Sequence, residues 1–174
     1  EQSVLLNALN NDVSRLNRLN KNLLLLSKIE NDSYFEKQNY SINNYIDKNF
    51  EFFEEQAAAK NITISKHYNH QLEIESNPIL IEVLINNLFL NAIRHNSKSG
   101  IIKIEIEENT VTFSNTGAVG ALSGEKLFNR FFKSDPSAKG NGLGLAIVKK
   151  ITELNGWKIG YSFENDLHNF FIKF

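Results

Sequence analysis

Apolar residues recur three and four apart through the start of the chain: Leu5, Leu9, Val13, Leu16, Leu19, Leu23, Leu26 and Ile29, with neither Gly nor Pro among them. That spacing predicts one long amphipathic helix. Its other face holds Asn10, Asn11, Arg15, Arg18, Asn22 and Lys28, so one apolar stripe needs a cover. Nothing downstream obviously supplies it, which suits a coiled-coil-like bundle with another segment or subunit; packing on the chain's own domain is the plainer alternative. Asn31, Asp32 and Ser33 break the pattern, and positions 45–60 then suit a helix that buries Ile46, Phe50 and Phe53. Tyr40-Ser41-Ile42 reads as a short strand, and the alternations Ile62, Ile64 and Leu72, Ile74 read as two more. Asn77-Pro78 opens a strongly apolar helix that runs to about His95, with Asn77 as N-cap. Positions 101–106 and 111–115 form a hairpin through Glu108-Asn109. Positions 143–155 are helical by pattern and stop at Gly156, and 158–163 and 170–174 close the chain as strands. This order of elements predicts an α+β fold.

Composition narrows the class. At 174 residues, with 41% hydrophobic and 22% charged side chains, the chain can bury a real core as one domain plus an accessory element. Disordered, collagen-like and fibrous classes drop out. Nineteen basic against twenty acidic groups leave a net charge of −1, which disfavours generic nucleic-acid binding. The absence of cysteine removes disulfide scaffolds, thiol nucleophiles and thiolate zinc sites together. No apolar run approaches the roughly 18 residues that span a bilayer, and the first residues lack the basic-then-apolar layout expected of a signal peptide. A first residue of Glu suggests a piece of something longer.

Four segments hold candidate chemistry. In the apolar helix, Asn87 and Asn91 share one face, as do Asn91 and Arg94. Two amides and a cation there are costly to bury alone, and amide oxygens can ligate a hard cation such as magnesium. The second segment, Phe113-Ser114-Asn115-Thr116-Gly117, is a strand ending in an amide and a glycine, where a side-chain oxygen could accept the exocyclic amino group of adenine. On its own it is also an ordinary turn. The third, Leu127-Phe128-Asn129-Arg130-Phe131-Phe132-Lys133, taken alone is a short helix that tucks Phe128, Phe131 and Phe132 into the core. The fourth is Gly140-Asn141-Gly142-Leu143-Gly144-Leu145, immediately before a helix, where freed backbone N–H groups and the positive helix end suit a phosphate. Its spacing fits neither the dinucleotide-binding nor the Walker pattern. Six of the nine glycines lie between Gly117 and Gly144, in the one long irregular stretch, and such loops usually carry function.

In this order and at these intervals the four segments resemble the N, G1, F and G2 boxes of the ATP-binding domain of sensor histidine kinases, within the superfamily that also holds gyrase, MutL-type and heat-shock chaperone ATPases. Leu23 to Glu30 is similar to the end of the second helix of the dimerisation and phosphotransfer hairpin that precedes this domain. The resemblance implies a two-layer α/β sandwich at residues 33–174 and a truncated hairpin helix at residues 1–32. It implies that Asn87 and Asn91 hold magnesium and the phosphates, that Arg94 approaches the phosphates, and that His95 lies near the adenine or ribose. Asn115 would read adenine beside Gly117. Gly140, Gly142 and Gly144, with the N–H groups of Leu143 and Leu145, would bind phosphate at the base of a lid running from about Ala118 to Lys139. Arg130 and Lys133 would reach the phosphates or the partner hairpin.

Two departures from the family pattern stand out. The G1 box usually has Asp where this chain has Asn115, which keeps the accepting oxygen and loses the charge that strengthens the bond. The phosphorylated histidine of the family precedes the part of the hairpin seen here, and His67, His70, His95 and His168 stand in other contexts, so no phosphoacceptor is expected in this chain. Related ATPases place a Glu where Asn87 stands, and an amide has no useful basicity toward water. Transfer from Mg-ATP to a histidine, then to the Asp of a response regulator, is therefore expected, with fast hydrolysis disfavoured. A degenerate nucleotide sensor or dimerising pseudokinase, a gyrase-type clamp and a purely structural module are the alternatives. The resemblance further implies a homodimer and a cytoplasmic domain of an inner-membrane sensor.

Overall fold

A computed structural model describes residues 2–31, 36–117, 120–134 and 140–174. The predicted leading helix is α1 (Gln2–Glu30). After it come β1 (Gln38–Ser41), α2 (Ile42–Ala58), β2 (Thr63–Tyr68), β3 (Glu73–Ser76) and α3 (Pro78–Arg94). The rest is β4 (Ile101–Glu107), β5 (Thr110–Thr116), α4 (Gly124–Leu127), α5 (Gly144–Asn155), β6 (Lys158–Glu164) and β7 (Leu167–Lys173). One five-stranded sheet runs β2-β4-β5-β7-β6, with β2 parallel to β4 and every other pair antiparallel; β1 and β3 pair separately.

Alternation along β4 shows why there are two layers. Ile102, Ile104 and Ile106 are buried on one face, while Lys103, Glu105 and Glu107 meet water on the other. α2 covers β2, α3 covers β5 and α5 covers β6 on the apolar side. An aromatic column joins the layers: Phe53 of α2 stacks on Phe89 of α3 at 4.1 Å, and Phe89 meets Phe113 of β5 edge-on at 5.0 Å. Asn77 caps α3 through its side-chain oxygen, which accepts the N–H of Ile79 at 3.0 Å, and left-handed Gly156 stops α5.

Three expectations shift. Ile42 begins α2 and does not extend β1, because the Ser41 hydroxyl accepts the N–H of Asn44 at 3.3 Å and starts the helix there. β7 begins at Leu167 and not at Phe170: Asn165 and Asp166 both take positive φ, a two-residue reversal that pairs Glu164 with Leu167. The α1 stripe is partly covered after all, since Leu26 and Ile29 are buried where α1 packs on α5. Leu6, Leu9, Val13 and Leu16 remain more than half exposed. His67 and His70 are exposed, and His70 Nδ1 accepts the backbone N–H of Glu108 at 2.9 Å. Asp32 and Ser33 lie outside the described residues.

Tyr45, buried between α2 and α3, donates to Asn86 Oδ1 at 3.3 Å. Burial, with Glu82 and Tyr40 adding to it, pushes its phenol up from 10.0 to about 12. A raised pKa means that the unfolded phenol ionises first. Stability is therefore full below pH 10.0, falls as pH rises toward about 12, and Tyr45→Phe flattens that limb in alkaline urea titrations.

Candidate functional site

The polar stripe of α3 lies along the glycine loop that enters α5. Asn87 Nδ2 donates to the carbonyl of Val83 at 2.7 Å, and its Oδ1 stands 3.0 Å from where a Cβ on Gly144 would sit. Near the end of the helix, Arg94 Nη1 stands 3.1 Å from the corresponding point on Gly140. Asn91, half-buried, lies between them on the helix. Asn87 and Arg94 thus flank the loop at its two ends.

The loop itself is a donor array. The first helical bond of α5 runs from the N–H of Ile147 to the carbonyl of Leu143 at 2.9 Å, and no side chain caps the helix. The N–H groups of Gly144, Leu145 and Ala146 precede that bond and gather at the positive end of the helix. Leu143 is fully buried, and its N–H donates to Asn141 Oδ1 at 3.3 Å. In this structure the Leu143 N–H is therefore engaged within the loop, while those of Gly144, Leu145 and Ala146 precede the first helical bond. Gly142 has φ +68, and the N–H of Phe131 donates to its carbonyl at 2.8 Å. A Cβ there would lie 2.7 Å from the Phe131 carbonyl carbon.

That bond explains the third segment. Phe131 takes φ +63 to reach Gly142, which turns its ring outward, and it is 59% exposed where the sequence alone suggested a core position. Leu127 is buried; Phe128 and Phe132 are half-buried. Arg130 pairs with Glu30 at the end of α1, so this segment is tied to the leading helix. Lys133 is half-buried. Of the expected lid, Ala118, Val119 and 135–139 lie outside the described residues.

Near the end of the central strand β5, Asn115 is 1% exposed. Its Nδ2 donates to the carbonyl of Thr116 at 2.8 Å, which orients the amide, and its Oδ1 is buried without a hydrogen-bond partner. An orphaned buried acceptor calls for an explanation, and a ligand N–H is one. The Thr116 hydroxyl donates to Asn96 Oδ1 at 2.6 Å and accepts the N–H of Ile101 at 2.9 Å, tying the end of the α3 segment to this strand. Gly117 leaves the strand against His168, with room for no Cβ: one would stand 2.4 Å from His168 Nε2. His95 caps α3 and is exposed, its backbone N–H donating to the Asn91 carbonyl at 3.0 Å. Sequence reasoning passed over Asn96, Thr116 and Asn141, whose only signal was their place beside the named residues.

Among the described residues, no cluster of three or more His, Cys, Asp or Glu could hold a metal. Asn87 and Asn91 each carry an amide oxygen on one face of α3, a donor type that magnesium accepts beside phosphate oxygens and water. No described helix is long and apolar enough to cross a membrane.

A two-layer sandwich that carries a glycine loop at the uncapped start of α5 and a buried, unpartnered amide oxygen near the end of its central strand suits an ATP-binding domain, and comparison with known proteins supplies its family. The model of the histidine kinase-, DNA gyrase B- and HSP90-like ATPases matches residues 76–168, and the chain belongs to that family. The sensor histidine kinase HprS of Escherichia coli (strain K12) is 30% identical over 167 residues, which are 92% of this chain and 36% of that protein. The nucleotide-free catalytic domain of histidine kinase ThkA is 29% identical with a TM-score of 0.68, over 79% of this chain and 94% of that one. ThkA in complex with response regulator protein TrrA aligns at 28% identity and a TM-score of 0.71, over 95% of this chain and 48% of that one. The chain spans about a third of the length of the curated relatives it matches.

Proposed function

We propose that residues 33–174 bind Mg-ATP and present its γ-phosphoryl to a histidine of a dimerisation hairpin, of which residues 1–32 form the second helix. The unpartnered Oδ1 of Asn115 is the observation that supports this most strongly. It would accept the adenine amino group, with Gly117 at the edge of the ring. Gly140, Gly142 and Gly144 would bring the backbone close to the phosphates, and the N–H groups of Gly144 and Leu145 would bind them at the start of α5. Arg94 would add positive charge from α3, and Asn87 and Asn91 would hold magnesium. Magnesium, when bound, neutralises phosphate charge as the phosphoryl group moves.

The single carboxylate in α3 is Glu82, which acts on Tyr40 and Tyr45, so Asn87, Asn91 and Arg94 offer no base for water. Positioning an imidazole nucleophile demands no such base, and this favours transfer over hydrolysis. The exposed apolar stripe of α1 suits the rest of a dimeric hairpin, and the Arg130 pair with Glu30 would couple lid and hairpin. A response regulator receiver would take the phosphoryl group next, as the ThkA–TrrA pairing suggests, and the domain would act on the cytoplasmic side of a membrane sensor.

The test extends the chain by a preceding hairpin helix with its histidine and supplies γ-labelled ATP. Base-stable, acid-labile label on that histidine is expected. Steady phosphate release with no labelled protein would overturn the transfer reading.

A further inference from the structure

One edge of the five-stranded sheet is β2, which pairs with β4 and with no other described strand. The N–H of Thr63 donates to the Gly100 carbonyl at 3.0 Å and that of Asn69 to the Ile106 carbonyl at 2.9 Å, so the odd-numbered positions of β2 turn their backbone groups toward β4. Those of Ile64, Lys66 and Tyr68 point the other way, off the edge. A row of that kind is a template for one more strand.

The side chains of the same three residues share the face that α2 covers. Ile64 is buried and Tyr68 half-buried. Alternation calls for an apolar residue between them, and the chain has Lys66 there. Its ammonium pairs with Asp47 of α2 and stands 4.5 Å from the centre of the Phe50 ring, and the Tyr68 hydroxyl donates to the same carboxylate at 3.1 Å. With the two side chains 34% and 47% exposed, that ion pair adds little to stability, so the fold alone does not call for the charge.

About Lys66 the edge is complementary to itself. Antiparallel pairing of two copies centred on that residue sets Ile64 of each against Tyr68 of the other, a favourable pair of β-branched and aromatic side chains. It also sets the two Lys66 residues opposite each other, with about 5.5 Å between Cα atoms, and like charges so placed are destabilising. Asp47 offsets part of that repulsion, but the added strand would also strip water from both ion pairs, at a desolvation cost.

We propose that Lys66 keeps the β2 edge closed to a second copy of this chain, by opposing the register in which its apolar neighbours match. Asp47 and Phe50 hold the ammonium at the edge, where an approaching strand meets it.

The test is hydrogen exchange at the amides of Ile64, Lys66 and Tyr68 at low and high protein concentration, with sedimentation of the same samples. It compares the unaltered chain with Lys66→Val and Lys66→Arg. In the unaltered chain and in Lys66→Arg, exchange at the three amides should not depend on concentration. In Lys66→Val it should slow about tenfold at high concentration, as a species appears with about twice the mass of the one the unaltered chain forms. Should Lys66→Val not fold, Lys66→Gln keeps the stem, loses the charge and carries the same expectation. Concentration-independent exchange in the folded, uncharged variant overturns the proposal, and so does association that leaves the three amides unprotected. Slowing in the unaltered chain overturns it too, because the edge would then pair with Lys66 in place.

Discussion

Asn115→Leu should raise the melting temperature of the nucleotide-free chain while removing most of its affinity for ATP. The two effects share one cause. In the free protein Oδ1 is buried without a partner, and an unsatisfied buried acceptor costs about 1–3 kcal/mol. Leucine has nearly the same shape and carries no such debt. It gives up the Nδ2 bond to the Thr116 carbonyl, which offsets about 1 kcal/mol. A net gain near 1 kcal/mol corresponds to about 2–4 °C in a domain of this size. The bound state loses the acceptor that the adenine amino group would use, and that amino group is then buried unpaired. A loss of about 2 kcal/mol is about 30-fold in Kd. Scanning calorimetry and ATP titration of the same sample check both signs. A lower melting temperature with unchanged ATP affinity would mean that the acceptor serves the fold and not a ligand.

Gly142→Ala should break the phosphate end of the site and spare the base end. With φ at +68, an L side chain there costs about 1–2 kcal/mol before any contact is counted. The added Cβ would also lie 2.7 to 2.9 Å from Phe131 Cα, the Phe131 carbonyl carbon and the Phe132 oxygen. All three are backbone atoms, so no side chain can swing aside. The Phe131 bond to the Gly142 carbonyl must give way, and the N–H array at Gly144 and Leu145 shifts with it. ATP affinity should fall about 100-fold, equivalent to about 2.7 kcal/mol, while binding of adenosine is unchanged. Paired titrations with ATP and adenosine read the difference; equal losses for both would show that the loop is not a phosphate site.

Much of this was legible in the residues because the signals were local. Apolar spacing marked α1 and α3, Asn77-Pro78 marked the start of α3, and the alternate glycines marked the entry to α5. The order of the four segments led to the family before any coordinates. What remained hidden depends on long-range geometry. Phe131 carries a core residue's side chain, and only the bond from its backbone to Gly142 turns it outward. His168 and Asn169 interrupt the apolar alternation of β7, so the strand seemed to begin late, although Asn165-Asp166 is a fair turn signal. The same geometry hid the pairing of His168 with Asn115, far apart in sequence and directly opposite in the sheet. The α1 stripe looked wholly unpartnered because the cover for Leu26 and Ile29 comes from α5, near the other end of the chain.

The central claim is a magnesium-dependent ATP site between α3 and the glycine loop. Calorimetric titration of ATP, with and without magnesium, into this chain and into Asn91→Ala tests it most directly. Binding that requires magnesium in the unaltered chain and is lost in Asn91→Ala is the expected result. Binding indifferent to magnesium and to Asn91, or none at any workable concentration, would contradict it.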